Sequence, residues 1–234
     1  MILQVYNSLQ ELSHSAEKMF MSMVNGSNLS IVVPGGTTPM YLFELLARKS
    51  VDWKKVTLIL SDERMVPINH KASNYGMIKK IFLEGLDADQ HPKILPEMEK
   101  LRPSYLESFL QETNILMKEI TAVSHAFLGM GSDGHTASLF GGREASTDGN
   151  KSPYFFTKNE AEPYRRMSLS IAFLQQIPKL TFLVSGKTKQ KALKSIINSK
   201  NFKSQSSAFL LINNFNGRLK ILCDEEARPI ISND

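Results

Sequence analysis

Phe127-Leu-Gly-Met-Gly-Ser-Asp-Gly-His-Thr-Ala-Ser-Leu-Phe140 continues an apolar run, Ala126 to Leu128, that stops abruptly at Gly129, Gly131 and Gly134. An apolar run cut off by glycines is the carboxyl end of a buried strand opening into a loop. Glycine lets backbone adopt positive φ and come close to a ligand. Asp133 and His135 flank Gly134, and a carboxylate beside an imidazole at a strand end can form an oriented acid–base pair. The stretch therefore reads as an active-site loop at the edge of a sheet.

Its spacing, Gly129-x-Gly131-x-x-Gly134, is also the dinucleotide-binding fingerprint. That fingerprint needs a helix after the third glycine and an acidic residue about 20 positions on. Here the chain runs into Gly141-Gly142-Arg143 and a polar stretch from Asp148 to Pro153. A histidine directly after the last glycine would also crowd a pyrophosphate. The nucleotide reading is set aside.

Outward from this loop, helices and strands alternate. Leu9 to Val24 has helical periodicity; Leu29–Val33 is a short β-branched strand; Met40 to Arg48 returns to helical rhythm. Val56–Leu60 is a second buried strand. Ser73 is an N-cap for a helix through Phe82, and Tyr105 to Ile120 is a longer helix leading to the strand Val123–Leu128. Beyond it, Arg166–Ile171 and Leu180–Ser185 read as strands, Thr188–Asn198 as a helix, and Ala208–Ile212 and Leu219–Leu222 as two further strands. The expectation is one domain over residues 1–234 of class α/β: a mostly parallel sheet with helices on both faces, Rossmann-like in a modified form. In such sheets ligands bind at the carboxyl ends of the strands. Four polar signatures sit there: Gly35–Thr38, Asp62–Arg64, Asp133–His135 and Gly186–Lys189.

Each loop has its own chemistry. Gly35-Gly36-Thr37-Thr38-Pro39 joins a strand to a helix, and its backbone N–H groups and hydroxyls suit a phosphate. No Gly-Lys-[Ser/Thr] follows, so it is not a nucleoside-triphosphate loop. Arg64 can clamp an oxyanion or phosphate, with Asp62 or Glu63 holding it in place. Arg166 and Lys189 are further cations for an anionic ligand. His14, His70, His91 and His125 show no metal-ligand spacing, and the only cysteine is Cys223, so neither a metal nor any other cofactor is expected. No Gly-x-Ser-x-Gly elbow marks a serine nucleophile.

Composition bounds the rest. The chain has 234 residues, 42% of them hydrophobic and 22% charged, ordinary for a globular protein. No run of about 18 apolar residues is present, so no membrane partner is expected. Met1-Ile-Leu-Gln-Val-Tyr lacks the pattern of a signal peptide. A single cysteine forbids an intrachain disulfide and suits a reducing, cytoplasmic setting; next to Leu222 it reads as a small core residue. The formal net charge of +5 favours anionic partners. The lysines at 187, 189, 191 and 194 lack the interleaved aromatics of a nucleic-acid surface, so a small phosphorylated substrate is expected and nucleic acid is not.

Taken together, Gly35-Gly-Thr-Thr-Pro39, Trp53, Ser61-Asp-Glu-Arg64-Met-Val-Pro67, Ser73-Asn-Tyr75, Gly129 to Phe140 and Gly186-x-x-Lys189 resemble the glucosamine-6-phosphate isomerase/6-phosphogluconolactonase family over nearly the whole chain. Within it the resemblance is to the lactonase branch, which carries Asp-Glu-Arg and Gly-His-Thr-Ala-Ser. The deaminases typically have an aromatic residue after Asp-Glu, another sequence after Gly-His and a later catalytic Glu. Thr37 stands for the usual Ser, Gly141 for a Pro, and Ser168 for a Thr; a customary Pro near Ser206–Ser207 is absent. The resemblance implies hydrolysis of 6-phospho-D-glucono-1,5-lactone in the oxidative pentose phosphate pathway. It implies His135, Asp133 and Arg64 as catalytic residues and Gly35, Gly36, Thr37, Thr38, Asp62, Gly131, Arg166 and Lys189 as substrate-binding ones, with Gly36, Thr37, Arg166 and Lys189 at the phosphate. The runner-up readings are an isomerase or deaminase of the same family and a non-catalytic sugar-phosphate sensor.

Overall fold

The computed structural model describes residues 1–24, 26–140, 152–158, 163–198 and 206–230. Gly141, Gly142, Arg143 and most of the polar stretch from Asp148 lie outside the described residues.

Seven parallel strands form the main sheet: β1 (Ile2–Tyr6), β2 (Leu29–Val33), β3 (Val56–Leu60), β5 (Lys93–Leu95), β6 (His125–Gly129), β9 (Lys179–Val184) and β10 (Arg218–Asp224), in the order β1-β10-β9-β6-β2-β3-β5. The central strands β2, β3, β6 and β9 are almost continuously buried, as strands covered on both faces must be. The helices are α1 (Leu9–Met21), α2 (Met40–Leu46), α3 (Asn74–Ile81), α4 (Leu106–Lys118), α5 (Ile171–Leu174), α6 (Gln190–Ile197) and α7 (Ser207–Asn213). From β1 through β2 and β3 to β5 the chain moves one way across the sheet. From β5 through β6 and β9 to β10 it moves back. Right-handed crossovers therefore put α1, α2 and α3 on one face, and α4, α6 and α7 on the other. On the first face Phe20, Trp53, Phe82, Phe43 and Phe127 form a chain of ring contacts, with centroids 4.8–6.2 Å apart. Neighbouring β2 and β6 lead off in opposite directions. That is the switch point at which open sheets of this kind hold ligands.

A second sheet of three antiparallel strands, β4 (Asp62–Arg64), β8 (Arg165–Leu169) and β7 (Tyr154–Lys158), stands over this edge. It follows β3 after Ser61 alone. Asp62–Arg64, expected as a plain strand-end loop, thus forms a strand, with Arg64 opposite Arg166 and Asp62 opposite Ser168.

One expected strand is a helix. Ser206 accepts from the Phe209 N–H as the N-cap of α7, so Ala208–Ile212 winds instead of extending. The strand expected over Arg166–Ile171 ends at Leu169, because Ser170 caps α5 in the same way.

Candidate active site

A cleft of about 220 Å³ opens at the switch point between β2 and β6. Gly35, Gly36, Thr37, Thr38, Asp62, Arg64, Gly131, His135, Arg166 and Lys189 all line it, together with Pro34, Ser61, Asn74, Met130, Thr136 and Ala137. The loops after β2, β6 and β9, with strands β4 and β8 of the second sheet, bring them there, separated in sequence but level at one edge. Of the expected site residues only Asp133 stands behind the wall, and it touches His135.

The acid–base pair is built by a tight turn. Gly131 N–H donates to the His135 carbonyl at 2.8 Å, and Gly134 N–H to that of Gly131 at 3.1 Å. Gly134 sits at φ 83°, open to glycine and strained for other residues. The turn returns the His135 N–H to Asp133 Oδ1 (3.1 Å) and sets the same oxygen 2.6 Å from His135 Nδ1. Burial alone would raise the Asp133 carboxyl. The His135 backbone N–H and the imidazole itself outweigh it and hold the group below the usual carboxylate range. An ionised carboxylate only accepts, so Nδ1 carries a proton; in the neutral ring Nε2 then keeps its lone pair and can accept one.

Gly131 is required for another reason. A Cβ there would meet His135 Nδ1 at 2.2 Å and Asp133 Oδ1 at 2.5 Å. Gly131→Ala should lower kcat about tenfold or more by forcing the imidazole aside, since misplacement of about 1 Å can cost up to about 10²-fold. Steady-state kinetics beside an unchanged melting temperature would separate this from general unfolding; unchanged kcat would mean the ring tolerates the shift.

The cations are held differently from one another. Alternation along β4 turns Asp62 and Arg64 toward the cleft and Glu63 into the core. Neither carboxylate holds the Arg64 guanidinium, contrary to expectation. Its Nη1 donates to the Ala72 carbonyl at 2.7 Å, and its Nε has no partner among the described residues. Glu63, fully buried, instead organises the start of α3. Its carboxylate accepts from the N–H groups of Arg64 (2.6 Å), Asn74 (2.8 Å) and Tyr75 (2.6 Å) and from the Ser73 hydroxyl (3.1 Å). Asp62 serves Arg166 instead. Ser138 Oγ bridges the two, 2.5 Å from Asp62 Oδ2 and 3.0 Å from Arg166 Nη1, while the carboxylate lies 3.7 Å from the guanidinium. Ser168 Oγ accepts from the Ser138 N–H at 3.2 Å. Lys189 ends the short turn before α6. The Asp224 carboxylate fixes this turn by accepting from Gly186 N–H, 3.1 Å to either oxygen, and from the Ser185 hydroxyl.

Ser138, Ser207, Asn74 and Asp224 were not expected here. Ser207 Oγ accepts from Thr136 N–H at 2.9 Å and donates to the Leu139 carbonyl at 2.5 Å, tying α7 to the His135 loop. Of these, Asn74 and Ser138 carried a sequence signal, as parts of Ser73-Asn-Tyr75 and Gly134-His-Thr-Ala-Ser138. No helix among the described residues is long and apolar enough to cross a membrane, and no group of three or more His, Cys, Asp or Glu among them could hold a metal ion.

The sequence pattern of the glucosamine-6-phosphate isomerases/6-phosphogluconolactonase family matches residues 7–216. The chain belongs to that family. Among its relatives, the 6-phosphogluconolactonase of Haemophilus influenzae is 31% identical over 202 residues, spanning 82% of this chain and 84% of the relative. That of Synechocystis is 31% identical over 172 residues, 71% and 70% of the two chains. A solved 6-phosphogluconolactonase from Trypanosoma brucei superposes with a TM-score of 0.81 over 97% of both chains at 23% identity. A monomeric glucosamine-6-phosphate deaminase superposes with 0.79 at 18% identity, over 97% of this chain and 98% of its own. Both branches of the family therefore share this fold, and the fold alone does not choose between them.

Proposed function

We propose that this protein hydrolyses 6-phospho-D-glucono-1,5-lactone to 6-phospho-D-gluconate, with its 234 residues acting as a single α/β domain. The observation that carries the reading is the Asp133–His135 pair, directed into a cleft that also holds Arg64, Arg166 and Lys189. A δ-lactone is a reactive ester, so a positioned base and an oxyanion donor suffice, with no covalent nucleophile. His135 Nε2 takes a proton from water, worth about 10²–10⁴-fold. The hydroxide formed attacks the lactone carbonyl. Arg64, with unused donors beside the cleft, stabilises the oxyanion; one good donor contributes about 3–4 kcal/mol. The imidazolium, steadied by Asp133, then returns the proton to the leaving ring oxygen.

Phosphate recognition falls to Lys189, Arg166 and the Gly36–Thr37 backbone, with Gly35 and Thr38 shaping that turn. Arg64 and Arg166 face each other across β4 and β8, a pair of cations that one anion could bridge. A single buried Cys223 suits a reducing compartment such as the cytoplasm. The formal charge of +5 suits an anionic sugar.

The direct test is hydrolysis of freshly generated lactone, corrected for its spontaneous opening, beside an assay for ammonia release from glucosamine 6-phosphate. Ammonia without lactonase activity would overturn the reading in favour of the deaminase branch. Lys189→Ala should raise KM about tenfold for the phosphorylated lactone, the loss of one charge-assisted contact, and leave unphosphorylated gluconolactone little changed. Equal weakening of both substrates would remove Lys189 from phosphate recognition.

A further inference from the structure

Parallel pairing fixes a second cluster of cations at the amino ends of β6, β9 and β10, the end of the sheet away from the catalytic cleft. Level residues on neighbouring strands share a face. Phe127 is level with Thr181, and Thr181 with Lys220. Lys179 pairs with Arg218, and one step before the pair Ala126–Leu180 the same register carries His125 to the level of Lys179. His125 stacks on Phe127 at 4.6 Å, as two residues of one face do. The last turn of α1 and the residues after it, Met19, Ser22 and Met23, close over this grid and leave a cavity of about 210 Å³, nearly that of the catalytic cleft.

The grid is electrostatically unrelieved. Lys179 and Arg218 lie directly opposite each other, a repulsive arrangement in a sheet. Among the described residues no carboxylate pairs with Lys179, Arg218 or Lys220. The end of α1 contributes only the partial negative charge of its carbonyls. His125, 4% exposed, holds Thr181 Oγ1 at 2.8 Å through Nε2, while its Nδ1 is buried with no partner among the described residues. Burial first, then Lys179 and Lys220, bring the imidazole down to about 4. A buried polar nitrogen without a partner costs stability, as do facing like charges. An anion held between these cations relieves the facing charges.

We propose that this cavity is a second anion site, separate from the catalytic cleft, that takes the phosphate group of a small molecule between Lys179, Lys220 and Arg218 over His125. The apolar sides of Met19 and Met23 would take the body of a phosphate monoester. Free phosphate offers the same charged group without it. The site does not depend on the lactonase reading, since none of its residues lines the cleft.

The test is the His125 ring signal in NMR spectra, assigned by its loss in His125→Gln. Inorganic phosphate and a hexose phosphate would each be titrated against chloride of matched ionic strength. A saturable shift of that signal is expected, retained in Lys189→Ala and weakened at least tenfold in Lys179→Ala/Lys220→Ala. A tighter response to the hexose phosphate assigns the site to a metabolite, and an equal one to free phosphate. A signal that stays still through tens of millimolar of both ligands, or moves equally in the double variant, overturns the proposal. The unliganded His125 signal reports whether each variant keeps its fold.

Discussion

His135→Ala should lower kcat for lactone hydrolysis by about 10²-fold or more while KM stays within a few-fold of its original value. The expectation rests on a division of labour visible in the cleft. The proposed base is held by Asp133 and the Gly131–Gly134 turn, whereas the cations come from β4, β8 and the turn before α6. Removing the imidazole would delete the proposed proton acceptor and leave those cations where they were. His135→Gln should behave like the alanine variant, because it keeps polarity without a basic nitrogen. Turnover near the original value in either variant would take His135 out of the mechanism. Solvent hydroxide opens the lactone unaided, so every rate must be corrected for background at its own pH.

The second large effect concerns stability. Glu63 is wholly buried and satisfies three backbone N–H groups and the Ser73 hydroxyl at the start of α3. Glu63→Ala leaves those donors without an acceptor, and unmade buried hydrogen bonds cost about 1–3 kcal/mol each. A loss of about 4 kcal/mol is expected at pH 5, a fall in Tm of about 10 °C for a chain of this size. Activity should fall with it, because the same segment presents the Ala72 carbonyl that holds Arg64. Burial pushes the Glu63 carboxyl up to about 7, against the pull of the Tyr75, Asn74 and Arg64 N–H groups; neighbouring Asp62 adds to the rise. The folded value thus lies above the unfolded one of 4.5. The associated stability is fully present below the unfolded value and is lost as pH rises through 7. Relative to Glu63→Gln, which cannot titrate, the original protein should lose about 3 kcal/mol between pH 4.5 and 7. Denaturant titrations of the two proteins across that range would show it. A pH-independent difference would mean that Glu63 keeps one protonation state throughout.

Most of the candidate site was legible because its groups lie in short runs at strand ends. Gly35–Pro39, Asp62–Arg64 and Gly129–His135 each announce a strand, a break and a polar function within a few residues, and parallel topology does the gathering. What could not be read is what depends on distant partners. Ser138 is separated from Asp62 by 76 positions and from Arg166 by 28, and Asp224 from Gly186 by 38. Ser138 stands in the Gly-His-Thr-Ala-Ser run, but nothing local ties its hydroxyl to Asp62 and Arg166, and the isolated Asp224 carries no spacing signal. The Arg64 support was misread because Glu63 adjoins it in sequence, while strand alternation sends the two side chains to opposite sides. Ala208–Ile212 was misread because a short apolar run fits a buried strand and a buried helix equally well, and only the Ser206 cap decides. Edge strand β1, half exposed and without regular alternation, gave no usable pattern.

The grip of Asp224 on Gly186 also has a temporal meaning. The first strand of the chain, β1, pairs with the last, β10, and β10 carries the carboxylate that fixes the Lys189 turn. During synthesis the ribosome delivers the loops of His135 and Arg64 early, yet the Lys189 turn lacks its anchor until β10 has emerged and docked. A nascent chain interrupted before residue 218 would lack both the strand between β1 and β9 and the carboxylate that fixes the Lys189 turn.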